Sequence, residues 1–237
     1  MMKKVLAFED RKKLFHELCS LISDCAGRAI DTNGRFSMAL SGGRTPRTLY
    51  ETLSGEFVDR IDWGRTFLFW GDERFVPEDH IESNYRMAAE ALISHVPIPP
   101  ENVFPVPTRA CSAGRAARTY EKQLRRFFRE EDLPGFDLVL LGLGEDGHVA
   151  SLYSGDAGME ETTRWVTSAA APETYAVKER ITLTFPVINN ARTVVMLVTG
   201  EKKREILGRV LKNEGGYPAA KVRPAGSFFV FTDLEGF

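Results

Sequence analysis

Strand-like and helix-like segments alternate along the whole 237-residue chain, and this alternation restricts its fold more than any other feature. Residues 138–141 read Leu-Val-Leu-Leu, the continuous apolar run expected of a strand that is buried on both faces of a parallel sheet. Such strands, when they alternate with amphipathic helices, form a layered α/β structure. We therefore predict a single α/β domain over residues 1–237, with a mostly parallel sheet and helices on both faces.

Individual elements can be placed from local patterns. Apolar residues at helical spacing predict a first helix over about residues 10–30. Short apolar runs predict strands at 36–40, 66–70, 137–141, 181–185, 193–199 and 228–232. Thr45 is expected to cap the helix after the first strand, with Pro46 at the first helical position. Ser83 and Ser112 are expected to cap two later helices.

Composition and charge exclude several classes of protein. The 31 Lys and Arg residues against 33 Asp and Glu give a formal net charge of −2, so no nucleic-acid partner is expected. No apolar stretch is long enough for a bilayer, and the N-terminal run stops at Phe8, so neither membrane insertion nor a secretory signal is expected. Cys19, Cys25 and Cys111 are odd in number and loosely spaced, which favours reduced thiols in a cytoplasmic protein. Without clustered His and Cys residues, we expect no metal and no cofactor.

Ligands bind parallel α/β sheets at the carboxyl ends of the strands, and three polar loops follow predicted strands there. The first loop runs from Ser41 to Pro46 and contains Gly42 and Gly43, followed by donors on Arg44 and Thr45. Backbone N–H groups and a helix N-terminus at such a loop can bind phosphate. A tight strand-to-helix turn that needs glycine is an equally good interpretation. The loop is not a Walker A motif, because no Gly-Lys-Ser/Thr follows.

The second loop begins Gly-Asp-Glu-Arg at residues 71–74. Asp72 is a candidate for binding substrate hydroxyls and Arg74 for binding phosphate. A solvated turn of mutually paired charges is the alternative interpretation. Arg180, Lys221 and Arg223 are further candidate cations, although each of these side chains taken alone is typical of a protein surface.

The third loop, residues 142–155, contains His148 directly after a Glu145-Asp146-Gly turn. Imidazole has a pKa suited to accepting a proton near neutral pH, and Asp146 or Glu145 can orient the ring and stabilise the imidazolium. A loop histidine that only satisfies a hydrogen bond is the alternative. Residues 142–147 also match Gly-x-Gly-x-x-Gly, but the two acidic residues would repel a pyrophosphate, so nucleotide binding is not favoured.

Together these motifs resemble the 6-phosphogluconolactonase family, hydrolases of the oxidative pentose phosphate pathway. The resemblance is carried, in the family's order, by segments 41–46, 71–77, 83–87, 142–155, 180–184 and 218–224. It implies a Rossmann-like fold without metal, with His148 as the base and Arg74 and Arg180 as substrate-binding cations. It also adds Asn84 to the substrate-binding residues. Val149 and Val230 depart from the family, which commonly has Thr and Trp there; the first change is expected to remove a hydroxyl contact and the second to alter packing.

The implied reaction is hydrolysis of 6-phospho-D-glucono-1,5-lactone to 6-phospho-D-gluconate. The expected partner is this small sugar-phosphate lactone, and the protein is expected to be a monomer or a dimer. The related glucosamine-6-phosphate deaminases share the Gly-Gly-x-Thr-Pro and Asp-Gly-His loops. They continue Ile-Ala-Phe-Asn-Glu, whereas residues 149–153 here read Val-Ala-Ser-Leu-Tyr, without a carboxylate. A non-catalytic sugar-phosphate sensor is a third alternative. It would carry a helix-turn-helix segment, for which the single helix expected before the sheet leaves no room.

Overall fold

The computed structural model describes residues 2–129 and 133–237, and its helices and strands alternate as expected. The α-helices are α1 (Arg11–Asn33), α2 (Arg44–Glu56), α3 (Asn84–Ala91), α4 (Ala113–Phe128), α5 (Phe185–Asn189) and α6 (Arg204–Leu211). The strands are β1 (Met2–Ala7), β2 (Phe36–Leu40), β3 (Thr66–Trp70), β4 (Asp72–Arg74), β5 (Leu138–Leu141), β6 (Val166–Ala170), β7 (Glu179–Leu183), β8 (Thr193–Val198) and β9 (Ser227–Thr232).

Six strands form a parallel sheet in the order β1-β9-β8-β5-β2-β3. Every residue of β5 and β8 is buried, as the continuous apolar runs predict. Right-handed crossovers place α1 and α2 on one face of this sheet and α4 and α6 on the other. The predicted α/β fold with a mostly parallel sheet and helices on both faces is therefore confirmed.

A second, antiparallel sheet in the order β4-β7-β6 packs against α4. The predicted strand at 181–185 belongs to this small sheet as β7, and the loop at residues 72–74 forms its strand β4. The sequence predicted residues 181–185 as a strand and residues 71–74 as a loop, and it did not predict a second sheet. A three-residue strand is too short to show a period, so its pairing depends on the distant strand that it meets.

Strands β1 and β6 were not predicted. Strand β1 pairs in parallel with β9, so the sheet begins before α1, contrary to the expectation of a helix before the sheet. Lys3 and Lys4 are exposed on this edge strand and interrupt its apolar pattern. Strand β6 has only two buried residues, Val166 and Ala169, and they do not alternate with exposed ones, so its sequence signal is weak.

The helix starts agree with the predicted caps in two of three cases. The hydroxyls of Ser83 and Ser112 accept hydrogen bonds from backbone N–H groups in the first turns of α3 and α4. The prediction for Thr45 is wrong: α2 begins at Arg44 after Gly43, whose φ of 103° suits glycine. Within the described ranges, no helix combines the length and apolar character that crossing a membrane requires.

Candidate active site

A cleft of about 560 Å³ lies where the carboxyl edge of the parallel sheet meets the antiparallel sheet. The loops after β2, β5 and β8 line it from one side, and β4 and β7 line it from the other. Ligands of parallel sheets usually bind at this end. A crevice forms there because the connections that follow two neighbouring strands run to opposite faces of the sheet. The structure brings most of the sequence-predicted residues together in this cleft.

His148 and Asp146 form a hydrogen-bonded pair at the cleft. The imidazole Nδ1 lies 2.5 Å from Asp146 Oδ1, and 16% of the histidine side chain is exposed. Because the carboxylate faces Nδ1, the neutral ring carries its proton there and keeps a lone pair on Nε2. Burial raises the pKa of Asp146, but the hydrogen bond and charge of His148 outweigh it, and the net pKa lies below its ordinary value. The pair is therefore built to supply a base and to stabilise its protonated form.

The glycines of this loop serve the pair. Gly144 N–H donates to the His148 carbonyl oxygen at 2.8 Å, and Gly147, at φ 79°, turns the chain between them. A Cβ on Gly144 would lie 2.0 Å from His148 Nδ1 and 2.4 Å from Asp146 Oδ1. Glycine is required at residue 144 because the His148–Asp146 pair occupies the space that a side chain would need.

Glu145 has a different environment from Asp146. Its side chain is 69% exposed, and a carboxylate oxygen lies 4.0 Å from Lys203 Nζ. Of the two acids predicted to orient His148, Asp146 makes that contact. Glu145 lines the cleft beside it.

Sequence analysis missed Lys203, which lines the cleft just after β8. The pKa of Lys203 lies below its ordinary value because burial disfavours the charged ammonium, an effect that Glu145 and Asp146 oppose. In the sequence it belongs to the run Glu-Lys-Lys-Arg, which resembles an exposed charged turn. Its position after a buried parallel strand was the signal that distinguishes it.

Two tyrosines that sequence analysis also missed surround the imidazole. The Tyr153 ring lies 4.6 Å from the His148 ring, and Tyr175 meets it edge-on at 5.7 Å. Tyr175 also lies 5.7 Å from the guanidinium of Arg180. Burial raises the pKa of Tyr175 to about 12, so its hydroxyl stays neutral. These rings connect the base to the cations of the second sheet.

Arg74 and Arg180 lie directly opposite each other in the antiparallel pair β4·β7, and both line the cleft. Arg74 Nη1 donates to the Glu82 carbonyl oxygen at 2.7 Å, and Arg180 Nε donates to the Val177 carbonyl oxygen at 3.1 Å. These neutral partners orient the guanidinium groups without cancelling their charge. Like charges that face each other across a sheet repel, and an anion between them relieves the repulsion. The pair therefore suits an anionic ligand.

Asp72 and Asn84 connect the second sheet to the loops. Asp72, 8% exposed, accepts a 2.7 Å hydrogen bond from the Ser151 hydroxyl in the histidine loop. The Asn84 amide nitrogen donates to the Asp72 carbonyl oxygen at 2.9 Å. Both residues line the cleft as predicted. The hydrogen bonds described above join them to other protein groups.

The first loop has the geometry of an anion cradle. Residues 41–44 line the cleft, and a Cβ on Gly42 would lie 1.8 Å from Asn84 Oδ1. The first N–H groups of α2 have no partners within the helix and are available to an anion. Tyr50 holds the loop, since its hydroxyl accepts from Ser41 N–H and donates to the Ser41 carbonyl oxygen. Thr45 lines an adjoining cleft and bonds the Thr199 hydroxyl at 2.8 Å.

The structure places Lys221 and Arg223 outside the cleft, where each has another partner. Lys221 Nζ pairs with Glu160 at 2.8 Å, and Arg223 donates to Asn213 Oδ1 at 3.1 Å. Neither is among the described residues that line the cleft. Their segment instead supports the histidine loop through its backbone, where Ala219 N–H donates to the Gly147 carbonyl oxygen.

Comparisons with known proteins find one matching family model and similar sequences. The family model described as glucosamine-6-phosphate isomerases/6-phosphogluconolactonase matches residues 9–230. A 6-phosphogluconolactonase of Synechocystis sp. is 41% identical over 88% of this chain and 86% of its own length. The chloroplastic 6-phosphogluconolactonase 3 of Arabidopsis thaliana is 38% identical over 99% of this chain and 73% of its own length.

Solved structures show the same likeness. A 6-phosphogluconolactonase from Trypanosoma cruzi superposes with a TM-score of 0.86 and 32% identity, over 97% of this chain and 95% of its own. One from Thermotoga maritima gives 0.85 and 30%, over 97% of this chain and 99% of its own. The sequence and the fold therefore agree over nearly the whole chain.

Proposed function

The chain belongs to the family of glucosamine-6-phosphate isomerases and 6-phosphogluconolactonases, and we propose that it hydrolyses 6-phospho-D-glucono-1,5-lactone to 6-phospho-D-gluconate. One observation carries the proposal. His148, which is hydrogen-bonded to Asp146, lines the same cleft as the Arg74–Arg180 pair. A base beside paired cations is what hydrolysis of an anionic lactone needs.

The chemical step follows from the tautomer of His148. Nε2 accepts a proton from water as the oxygen bonds to the lactone carbonyl carbon, and the carbonyl oxygen becomes an oxyanion. When the tetrahedral intermediate collapses, the bond from that carbon to the ring oxygen breaks. The imidazolium then returns its proton to the ring oxygen, while Asp146 stabilises the positive charge. No covalent intermediate is needed.

The phosphate-binding loop and the arginine pair bind different parts of the substrate. We place the phosphate at Gly42, Gly43 and the N-terminus of α2, with Lys203 contributing charge. The Tyr175 ring contacts both Arg180 and His148. We therefore place the arginine pair nearer to the reacting carbonyl than to the phosphate. Cations there bind the carbonyl oxygen of the lactone and the carboxylate of the product, so they hold both molecules in the cleft.

The residues after His148 favour the lactonase over the deaminase. Val149 is fully buried, Ala150 lines the cleft, and the Ser151 hydroxyl is bonded to Asp72. None of these side chains presents a carboxylate to the substrate. The burial of Val149 also means that this departure from the family changes packing below the cleft.

Parallel assays with freshly generated 6-phosphogluconolactone and with glucosamine 6-phosphate test the proposal. The uncatalysed hydrolysis of the lactone must be subtracted at each pH. We expect lactone turnover without release of ammonia. Ammonia release without lactone turnover selects the deaminase, and saturable binding of sugar phosphates without turnover of either selects the sensor.

The proposed reaction uses no metal. Among the residues that the structure describes, no group of three His, Cys, Asp or Glu side chains is arranged to hold an ion. We expect full activity after exhaustive dialysis against EDTA, because His148 rather than a metal activates the water. Loss of turnover that one divalent ion restores would contradict the mechanism.

A further inference from the structure

Glu73 is a buried acid beside the cleft to which the mechanism above gives no role. Only 1% of the residue is exposed. Its carboxylate accepts hydrogen bonds from the backbone N–H groups of Arg74, Asn84 and Tyr85, each at 2.7 Å, and from the Ser83 hydroxyl at 3.3 Å. Four donors around one buried carboxylate form a fully built site for that charge.

Three of these donors belong to the start of α3. The first N–H groups of a helix have no partners within the helix, and here Glu73 accepts from two of them. The Ser83 hydroxyl also accepts from Arg86 N–H at 3.2 Å, which completes the cap. A side chain of β4 therefore attaches α3 to the antiparallel sheet.

The start of α3 is next to the cleft. Asn84 bonds the Asp72 carbonyl oxygen and packs against Gly42 of the anion cradle. The Arg74 guanidinium is held by the Glu82 carbonyl oxygen, two residues before α3. Glu73 thus fixes Arg74 twice, through its backbone N–H and through the segment that orients its guanidinium.

This arrangement does not favour stability. Burial raises the pKa of Glu73 to about 7; its backbone hydrogen bonds lower it, and Asp72 adds to the increase. The other ionisable groups near it are Arg74 on the same strand, Tyr85 on α3 and the Tyr120 hydroxyl of α4. A buried ionised carboxylate costs free energy of folding that a neutral side chain avoids. Its contribution is therefore to be sought in the geometry of the cleft.

We propose that Glu73 is a positioning residue of the lactonase reaction, whose carboxylate holds the start of α3 on β4 and so fixes Arg74 and Asn84 at the substrate cleft. This proposal rests on the proposed function, because the ligand that Arg74 meets is the lactone. The His148–Asp146 pair makes no contact with Glu73 among the hydrogen bonds described, so the base is expected to stay intact when Glu73 is changed.

The test is Glu73→Gln, which keeps the size of the side chain but turns an NH2 group toward backbone donors. We expect a folded enzyme whose kcat/KM falls by about 10- to 100-fold, the scale of misplacing a binding group by up to 1 Å. The fall should come mainly from KM, and the Kd of 6-phosphogluconate should rise in parallel. Glu90→Gln is the matched control on the exposed face of α3, where it removes ion pairs to Arg86 and Arg47. Its kcat/KM should stay within about twofold of wild type.

A lower Tm of Glu73→Gln with unchanged KM and unchanged Kd of 6-phosphogluconate would show a purely structural role and overturn the proposal. If Glu73→Gln does not fold, Ser83→Ala decides, because it removes one donor to the same carboxylate and leaves Glu73 in place. A several-fold weaker Kd supports the proposal, and an unchanged Kd overturns it. The proposed function fails separately, if wild-type enzyme does not hydrolyse the lactone; the Kd comparison then still decides the role of Glu73.

Discussion

The two sheets contribute different chemistry to one cleft. Loops that follow the ends of β2, β5 and β8 in the parallel sheet carry His148, which we propose as the base, and residues 41–44, which we propose as the phosphate site. The antiparallel sheet supplies the Arg74–Arg180 pair from residues within its strands. The loops place groups that move protons or bind phosphate through the backbone, whereas the strands fix two long cationic side chains at a constant separation. Variants of the histidine loop should therefore act mainly on kcat, and variants of the Arg74–Arg180 pair mainly on KM.

The two regions are also stabilised differently. Glycine turns shape the histidine loop, residues 142–155, where Gly144 leaves room for the His148–Asp146 pair. Buried carboxylates shape the second region, where Asp72 bonds Ser151 and Glu73 holds the start of α3. Added side-chain volume should therefore disturb the first region, and loss of charge should disturb the second.

The largest effect is expected for His148→Asn. It removes the group that accepts the proton, and general-base catalysis contributes typically about 10²–10⁴-fold, so kcat should fall by that factor while 6-phosphogluconate still binds. His95→Asn is the control, because His95 is exposed and its side chain bonds only the Glu90 carbonyl oxygen among the described hydrogen bonds. A folded His148→Asn enzyme with near wild-type kcat would leave Asp72 as the next candidate base.

Gly144→Ala should have the next largest effect. Its Cβ would lie 2.0 Å from His148 Nδ1, so the imidazole must move, and displacement by about 1 Å can cost about 10²-fold in rate. We expect a loss of kcat with little change in KM, measured by initial rates. Gly27→Ala on α1 is the control, since a Cβ there meets no atom within 4 Å. Equal kcat values for the two variants would mean that the loop tolerates side-chain volume.

Arg180→Gln should act mainly on KM. A hydrogen bond to a charged group contributes about 1.5–3 kcal/mol, so kcat/KM should fall by roughly 10- to 150-fold. Arg223→Gln makes the same change in charge outside the cleft, where its partner is Asn213, and should leave the kinetics unchanged. If Arg180→Gln lowers only kcat, the assignment of KM effects to the arginine pair is wrong.

The smallest expected effect is on stability and comes from Glu73. Its folded-state pKa is raised from 4.5 to about 7, so its favourable contribution is fully present below about pH 4.5 and is lost as the pH rises through 7. The free energy of unfolding of wild type relative to Glu73→Gln should therefore fall, by on the order of 1 kcal/mol, between pH 5 and 8. Urea unfolding of both proteins at each pH measures this difference. A difference that does not vary with pH would show that Glu73 is ionised throughout.

The sequence predicted the central elements well because their signal is local. Strands β2, β3, β5, β8 and β9 are apolar runs, and the structure places them within about two residues of the predicted bounds. Edge strand β1 and the short β6 escaped prediction, because neither needs a continuous apolar run. Lys203 lines the cleft without having been predicted, and Lys221 and Arg223 lie outside it, because a lysine or arginine in the sequence does not reveal its partner.

By itself the sequence determined the α/β alternation, the glycine turns and the position of His148 beside two acids, Glu145 and Asp146, between which it did not choose. These depend on backbone conformation, burial pattern and contacts between residues two positions apart. Only the tertiary structure decided that Arg74 faces Arg180 and that Asp72 bonds Ser151, 79 positions away. The register of distant strands sets such contacts, and it emerges when the whole chain packs, because no local preference of the backbone encodes it.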